Sequence, residues 1–289
     1  MSTIHRWHET VELIRRALAE DLVIADATTR FLPSDLEGEA MLIAKQQGVV
    51  AGAEVALQVF REVDPSLETE VLTEDGSSAE KGTKLMRIYG NLGSILQAER
   101  TATNFLQRLS GIATATRAYV DAIADLPAVL IDTRKTLPGW RHLDKYAVRA
   151  GGGRNHRMNL ADGVLIKDNH IEAMALLGVG LTELVRIARE KALHTIRIEV
   201  EVDTLAQVPQ ALDGGADIIL LDNMDIATMR QAVALCKGRA LTEASGNITL
   251  ENIRAIAETG VDLLSSGSVT HSVRALDISL DVTPILPSL

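Results

Sequence analysis

Several things are scarce in this chain. It has a single cysteine among 289 residues, which rules out an internal disulfide and a thiolate-rich zinc site. That residue, Cys236, follows Met229 and Val233 at helical spacing, so a core position is predicted for it. Aromatic residues make up 3% of the chain, and the interior must therefore be aliphatic. No apolar run approaches the roughly 18 residues that a membrane span needs, and the opening MSTIHRWHETVEL is polar where a secretion signal would be apolar. A cytoplasmic protein with no membrane partner is expected. Basic charge is also short: 29 Lys and Arg against 39 Asp and Glu leave a net charge of −10. Nucleic acid is excluded as a partner by the long-range repulsion such a charge creates.

The residues present describe two kinds of patterning. From residue 129 onward, short apolar, often β-branched runs (VLID, GVLIKD, IRIEVEV, DIILLDN, RALTEAS, VDLLSSG) alternate with helical periodicity. This rhythm predicts parallel strands joined by crossover helices. No GxGxxG follows a first strand, so an open (β/α) barrel is favoured over a doubly wound sheet, with its chemistry at the carboxyl ends of the strands. Residues 1 to 111 differ. A helix with Val11, Ile14 and Leu18 on one face, strand-like EAMLIAKQQGVVAGAE and KLMRIYGN, and a long helix near 96–125 predict a smaller α+β domain. The expected division is 1–111 for that domain, with 273–289 packing on it, and 112–272 for the barrel.

Against the acidic background, cations gather at successive strand ends. IDTRKTLPG delivers Thr133, Arg134 and Lys135 before Pro138 stops the sheet. Asn155, His156 and Arg157 follow, then Lys167 and His170 in VLIKDNH. Arg offers a planar fork suited to carboxylate or phosphate, and Lys a compact mobile charge. Strand ends converging on cations therefore imply a polyanionic ligand. For His170 a structural role is expected.

Carboxylates stand opposite. Period-2 alternation puts Glu199, Glu201 and Asp203 on one face, and the next strand ends in Asp222. Such a group can neighbour a magnesium–phosphate complex or stabilise a developing cation; plain ion pairs to Lys167 and Arg134 are the alternative. The last strands end in EASGNIT and LSSGSVTHS. Ser245, Gly246 and Asn247, and Ser266, Gly267 and Ser268, could there expose backbone N–H groups to a phosphate.

Taken together, AERTATNFLQRLSGIAT, IDTRKTLPGWRHLDKYAVRAGGGRNHR, LIKDNH, IEVEV, LLDN, EASGNIT and THSVRALDISL resemble quinolinate phosphoribosyltransferase, also called nicotinate-nucleotide pyrophosphorylase (carboxylating), over nearly the whole chain. Departures are DLVIADATT near residue 21, where glycines are usual, and Ser266 and Ser268, where valine and alanine are frequent. The resemblance implies an open barrel of about seven strands with a small N-terminal α/β domain. It also implies a homodimer with shared active sites. Its reaction converts quinolinate and 5-phosphoribosyl 1-diphosphate, with Mg²⁺, to nicotinate mononucleotide, diphosphate and CO₂ in NAD biosynthesis. By the same resemblance Arg134, His156, Arg157 and Lys167 would bind the quinolinate carboxylates, with Thr133 and Lys135 adjoining. Arg100 would enter from the partner subunit. Glu201 and Asp222 would face the ribose, near a magnesium held mainly through the diphosphate, with Glu201, Asp222 and Lys135 in the catalytic roles. Residues 245–247 and 266–268 would hold the 5-phosphate. Two rival readings are a relative associated with molybdenum transport and a non-enzymatic phosphate-ligand sensor.

The helix predicted to carry Arg100 has Ala98, Ala102, Phe105, Leu109 and Ile112 on its buried face, from which Arg100, Asn104 and Arg108 project.

Overall fold

The computed structural model describes residues 7–22 and 26–285. The chain ends, and positions 23–25 of the DLVIADATT segment, lie outside the described residues. In chain order come α1 (Trp7–Asp21), β1 (Glu37–Ala44), β2 (Gly48–Val49), α2 (Ala53–Val63), β3 (Glu68–Val71), β4 (Ser78–Ala79), β5 (Lys84–Asn91) and α3 (Leu92–Ala122). Then follow β6 (Val129–Ile131), α4 (Arg141–Ala150), β7 (Val164–Ile166), α5 (Asp168–Ala175), α6 (Leu181–Lys191) and β8 (Ile198–Val202). The chain continues through α7 (Gln207–Gly214), β9 (Ile218–Asp222), α8 (Ile226–Cys236), β10 (Leu241–Ser245), α9 (Ile253–Ala257), β11 (Leu263–Ser265), α10 (Ser268–His271) and β12 (Ile278–Ile285).

Two compact units result: residues 1–117, 137–152 and 272–289 form one, and 118–136 with 153–271 the other. The first is built on an antiparallel sheet of order β12-β1-β5-β3. In β1 the residues alternate, Ala40, Leu42 and Ala44 buried between more exposed neighbours, as a strand with one covered face requires. Over its length β3 carries Glu68, Thr69 and Glu70, partly exposed, on the sheet edge, where charge discourages pairing with another chain.

The segment 137–152 belongs to this unit and not to the barrel unit, and three side chains of α4, with Trp140 before it, have partners there. Buried His142 bonds Thr10 of α1 at 3.0 Å, Asp144 pairs with Arg108 of α3 at 3.0 Å, and Tyr146 donates to Asp75. Trp140 stacks on Phe105 with ring centroids 4.6 Å apart. The predicted buried face of α3 is observed, with Ala98, Ala102, Phe105, Leu109 and Ile112 all at most 1% exposed. Arg108 departs from expectation: it turns toward Asp144, whose carboxyl burial raises above its ordinary range while Arg108 opposes the shift.

The second unit is a parallel sheet of order β6-β11-β10-β9-β8-β7. The open barrel of about seven strands is found: among the described residues six strands form ladders, and a seventh place is marked by a single bridge, where Arg154 pairs in parallel with Ile131 of β6. Following the chain, each strand joins its successor except between Arg154 and β7, where no ladder joins them among the described residues. This is the barrel's opening, and Arg157 reaches toward its far side, donating from Nη1 to the Gly163 carbonyl at 2.9 Å. Outward-facing Val200, Val202 and Ile219 are fully buried, as expected of parallel strands with both faces covered. Cys236 is 1% exposed in α8, and burial pushes its thiol pKa up to about 11.

The first unit is held by a close approach at Gly111, where a Cβ would stand 2.3 Å from the Arg274 carbonyl oxygen and 3.1 Å from the Ala275 Cα. Alanine favours a helix over glycine by about 1 kcal/mol. A clash with backbone cannot be relieved by a rotamer, and overpacking costs about 1–3 kcal/mol. Gly111→Ala is therefore expected to lower the melting temperature by several degrees; a higher melting temperature would contradict the packing.

Candidate active site

The carboxyl ends of the barrel strands surround a cleft of about 590 Å³. The turn after β6 brings Thr133, Arg134 and Lys135, and the loop after the Arg154 bridge brings His156 and Arg157. Lys167 follows β7, Glu201 comes from β8, Asp222 ends β9 with Asn223 just after it, and Glu243, Ser245, Gly246 and Asn247 come from β10 and its turn. Strand geometry explains the convergence, because parallel strands deliver all their carboxyl ends to one rim.

The loop holding His156 is fixed from below. Asp132, fully buried directly after β6, accepts from Asn155 Nδ2 at 2.6 Å and from the His156 backbone N–H at 2.8 Å. Arg157 donates its own backbone N–H to His156 Nδ1 at 2.6 Å. Its guanidinium pKa is lowered by burial first and by neighbouring Arg134 second, as two cations held on one wall should be. Arg134 Nε is buried without a hydrogen-bond partner, a donor that an anionic ligand can satisfy.

Lys167 is half-exposed and paired with Glu201. The plain ion pair weighed from the sequence is thus present for Lys167. His170 has the structural role expected of it: its Nδ1 accepts the Lys167 backbone N–H at 2.9 Å at the start of α5. Lys135 is held through its backbone, which donates to Thr133 Oγ1 at 3.0 Å and accepts from Thr270 Oγ1 at 2.7 Å.

Asn223 and Asn247 adopt φ values of 51° and 49°, the left-handed region that asparagine tolerates better than most residues. Asn247 Nδ2 donates to Asn223 Oδ1 at 3.1 Å, and Asn223 Nδ2 to Asp222 Oδ2 at 2.8 Å. Between them Gly246 has φ of 93°, and a Cβ there would lie 2.2 Å from Asn223 Oδ1. Only glycine fits, so the turn after β10 keeps its backbone close to the cleft.

The sequence-predicted residues do not all line this cleft. Ser266, Gly267 and Ser268 are not among the residues that line it, although Ser265 is. The Ser266 N–H is taken by the Ile131 carbonyl at 3.1 Å, Ser266 and Ser268 share a 2.7 Å hydroxyl contact, and Tyr119 OH lies 3.2 Å from Ser268. The expected free N–H at Ser266 is thus corrected: ladder bonding between β6 and β11 consumes it. Arg100 lies on α3 in the first unit, its side chain 62% exposed and 3.6 Å from Glu99.

Sequence reasoning missed Glu243 and Asn223. Asn223 carried a readable signal, an Asp-Asn pair after an apolar strand, where left-handed backbone is common. Glu243 carried none, since a glutamate within LTEAS looks like a solvent-facing strand residue; in the fold it is 1% exposed. Glu199 was read as one of an acidic face, and it too is buried, at 4%.

Comparison with known proteins accords with this geometry. Residues 26–110 match the family model for the quinolinate phosphoribosyl transferase N-terminal domain, and 112–281 that for its C-terminal domain. A tobacco protein named quinolinate phosphoribosyltransferase [decarboxylating] 2b, mitochondrial, is 43% identical over 96% of this chain and 83% of its own length. A Bacillus subtilis protein named probable nicotinate-nucleotide pyrophosphorylase [carboxylating] is 42% identical over 94% of this chain and 93% of its own. The solved nicotinate-nucleotide pyrophosphorylase from Francisella tularensis superposes with a TM-score of 0.91 at 38% identity, covering 96% of each chain. The chain belongs to the quinolinate phosphoribosyltransferase family.

Proposed function

We propose that this protein transfers the phosphoribosyl group of 5-phosphoribosyl 1-diphosphate to quinolinate with loss of CO₂, giving nicotinate mononucleotide and diphosphate for NAD biosynthesis. The observation that carries the reading is the cationic wall of the cleft: Arg134, Lys135, Arg157 and Lys167 converge there from three places on the barrel rim, and Arg134 Nε is buried and unpartnered. A ligand with two carboxylates, beside one with a phosphate and a diphosphate, uses such a wall. Neither a molybdenum-transport relative nor a phosphate sensor has a specific observation in its favour.

In this reading Arg134, Arg157 and Lys167 hold the quinolinate carboxylates, with His156, Thr133 and Lys135 beside them. A carboxylate that takes Lys167 competes with its Glu201 partner, and a released Glu201 faces the ribose with Asp222. The pyridine nitrogen attacks the anomeric carbon as the bond to diphosphate breaks, and carboxylates near the ring stabilise the oxocarbenium-like state. The ribosylated nitrogen is cationic, so its charge stabilises the electron pair that stays on C2 when CO₂ departs; that pair then takes up a proton where the carboxyl group stood. Ser245, Gly246 and Asn247 receive the 5-phosphate, where glycine lets the backbone approach.

Hard carboxylate oxygens of Glu201 and Asp222 on the cleft wall suit the neighbourhood of a magnesium ion bound mainly by diphosphate oxygens and water. When bound, the ion supplies neutralisation of the charge on the leaving diphosphate. Arg100, exposed on α3, belongs in this proposal to the active site of the partner subunit in a homodimer. Among the described residues no helix is long and apolar enough to cross a membrane; a cytoplasmic location is part of the proposal, although plant relatives are named mitochondrial and chloroplastic.

The test of function is diphosphate release from 5-phosphoribosyl 1-diphosphate, which should depend on quinolinate; release without it, or none with it, contradicts the reading. Arg134→Ala should remain folded and lose at least about tenfold in quinolinate affinity, since a charge-assisted bond contributes about 1.5–3 kcal/mol. Affinity near wild type would remove Arg134 from the carboxylate site.

Mixing inactive Arg100→Ala and Lys167→Ala proteins under subunit exchange tests the shared site. Random assortment makes about half the dimers mixed, each with one intact site, so activity should recover to about a quarter of wild type. No recovery despite demonstrated exchange would put Arg100 outside the neighbour's site.

A further inference from the structure

Beneath the cationic wall lies a cluster of His156 with two glutamates, Glu199 and Glu243, that have no part in the reaction described above. His156 Nε2 stands 3.1 Å from Glu199 Oε2 and 3.7 Å from Glu243 Oε2, and the ligating atoms of all three lie within 4.8 Å of one another. Glu199 and Glu243 are 4% and 1% exposed, and each keeps one buried oxygen, Oε1, without a hydrogen-bond partner. A single imidazole cannot neutralise two buried carboxylates, and two like charges this close cannot both ionise without a large cost.

We propose that Glu199 and Glu243 are positioning residues for His156, with Glu199 the anion that takes the imidazole Nε2–H and Glu243 a neutral acid standing beside it. The inference rests on the reading of Arg134, Arg157 and Lys167 as quinolinate ligands.

The hydrogen bonds assign the tautomer. Since Nδ1 accepts the Arg157 backbone N–H, the ring proton belongs on Nε2, which faces the carboxyl pair. Glu199 is the nearer acceptor. Burial, and after it the charge of Glu199, raise the Glu243 carboxyl well above its ordinary range, in keeping with the neutral partner. The imidazole thereby spans from the loop amide of Arg157 to the floor of the barrel, a second anchor for the loop that Asp132 already holds. A neutral Glu243 also leaves the cleft with a positive excess for its anionic ligands; a second negative charge on the floor would cancel part of it.

The two glutamates should therefore respond differently to the same isosteric change. Gln mimics a neutral acid, so Glu243→Gln should raise quinolinate KM far less than Glu199→Gln does, and less than Glu243→Ala. Glu199→Gln exchanges a charge-assisted acceptor for a neutral one. It should raise quinolinate KM about tenfold, with the KM for 5-phosphoribosyl 1-diphosphate unchanged. Equal damage from both Gln variants, or an unchanged quinolinate KM in Glu199→Gln, overturns the proposal.

Two measurements need no turnover, and so separate failure of this inference from failure of the functional reading. Imidazole nitrogen shifts of His156, assigned by their loss in His156→Asn, should report the Nε2–H tautomer in wild type and Glu243→Gln; an Nδ1–H tautomer overturns the assignment, whether or not Glu199→Gln folds. Mn²⁺ titrated alone into the substrate-free protein should bind wild type and Glu243→Gln alike. A wild-type site lost in Glu243→Gln would make the cluster a cation site instead.

Discussion

The arrangement of the cleft depends on one buried carboxylate. Asp132 follows β6 directly, is fully buried, and accepts from the side chain of Asn155 and the backbone of His156. Its own N–H donates to the Arg154 carbonyl at 3.1 Å. The bridge at Arg154 is too short to fix the chain that follows it, so Asp132 supplies the missing order. A carboxyl group in so dry a position must keep its donors, which makes the loop conformation a condition of the barrel's stability. The loop in turn sets Arg157, which reaches Gly163 at the barrel's opening. Fold and cleft are thus fixed by the same bonds.

Charge is organised on two levels. The whole chain is acidic, at −10, yet its cleft gathers Arg134, Lys135, Arg157 and Lys167. Cations held close to one another repel, and the guanidinium pKa of Arg157 is lowered by burial first and by Arg134 second; such a wall is stable only with counter-charge nearby. Glu201 supplies it directly to Lys167, and Glu199 supplies it from the floor. A polyanionic ligand relieves the repulsion on binding. Attraction at the cleft is local, since charges on the acidic exterior are screened beyond about 8–10 Å at physiological salt.

The sequence made the barrel legible because its strands are short apolar runs ending in polar residues, and parallel strands must deliver those ends to one rim. The cations of that rim could be named from position alone. What could not be read depends on long-range contacts. Whether α4 belongs with the barrel is decided by Thr10, Asp75 and Arg108, residues 36 to 132 positions away from their partners. The seventh strand shrinks to one residue, which leaves no periodicity to detect. Glu243 is indistinguishable by pattern from an exposed strand residue, and only the closure of β10 beside β9 and β11 buries it. The N–H of Ser266 looked free in the sequence because a ladder bond to Ile131 is visible only once β6 and β11 are neighbours.

The central claim is that the cationic wall exists to hold two carboxylates on one ring. Its most direct test is the acceptor preference of the enzyme with saturating 5-phosphoribosyl 1-diphosphate and Mg²⁺, comparing quinolinate with nicotinate, which lacks the carboxylate at C2. The account predicts that nicotinate loses at least about tenfold in kcat/KM, because a charge-assisted bond and its buried donor go unsatisfied. Equal use of the two acceptors would contradict it.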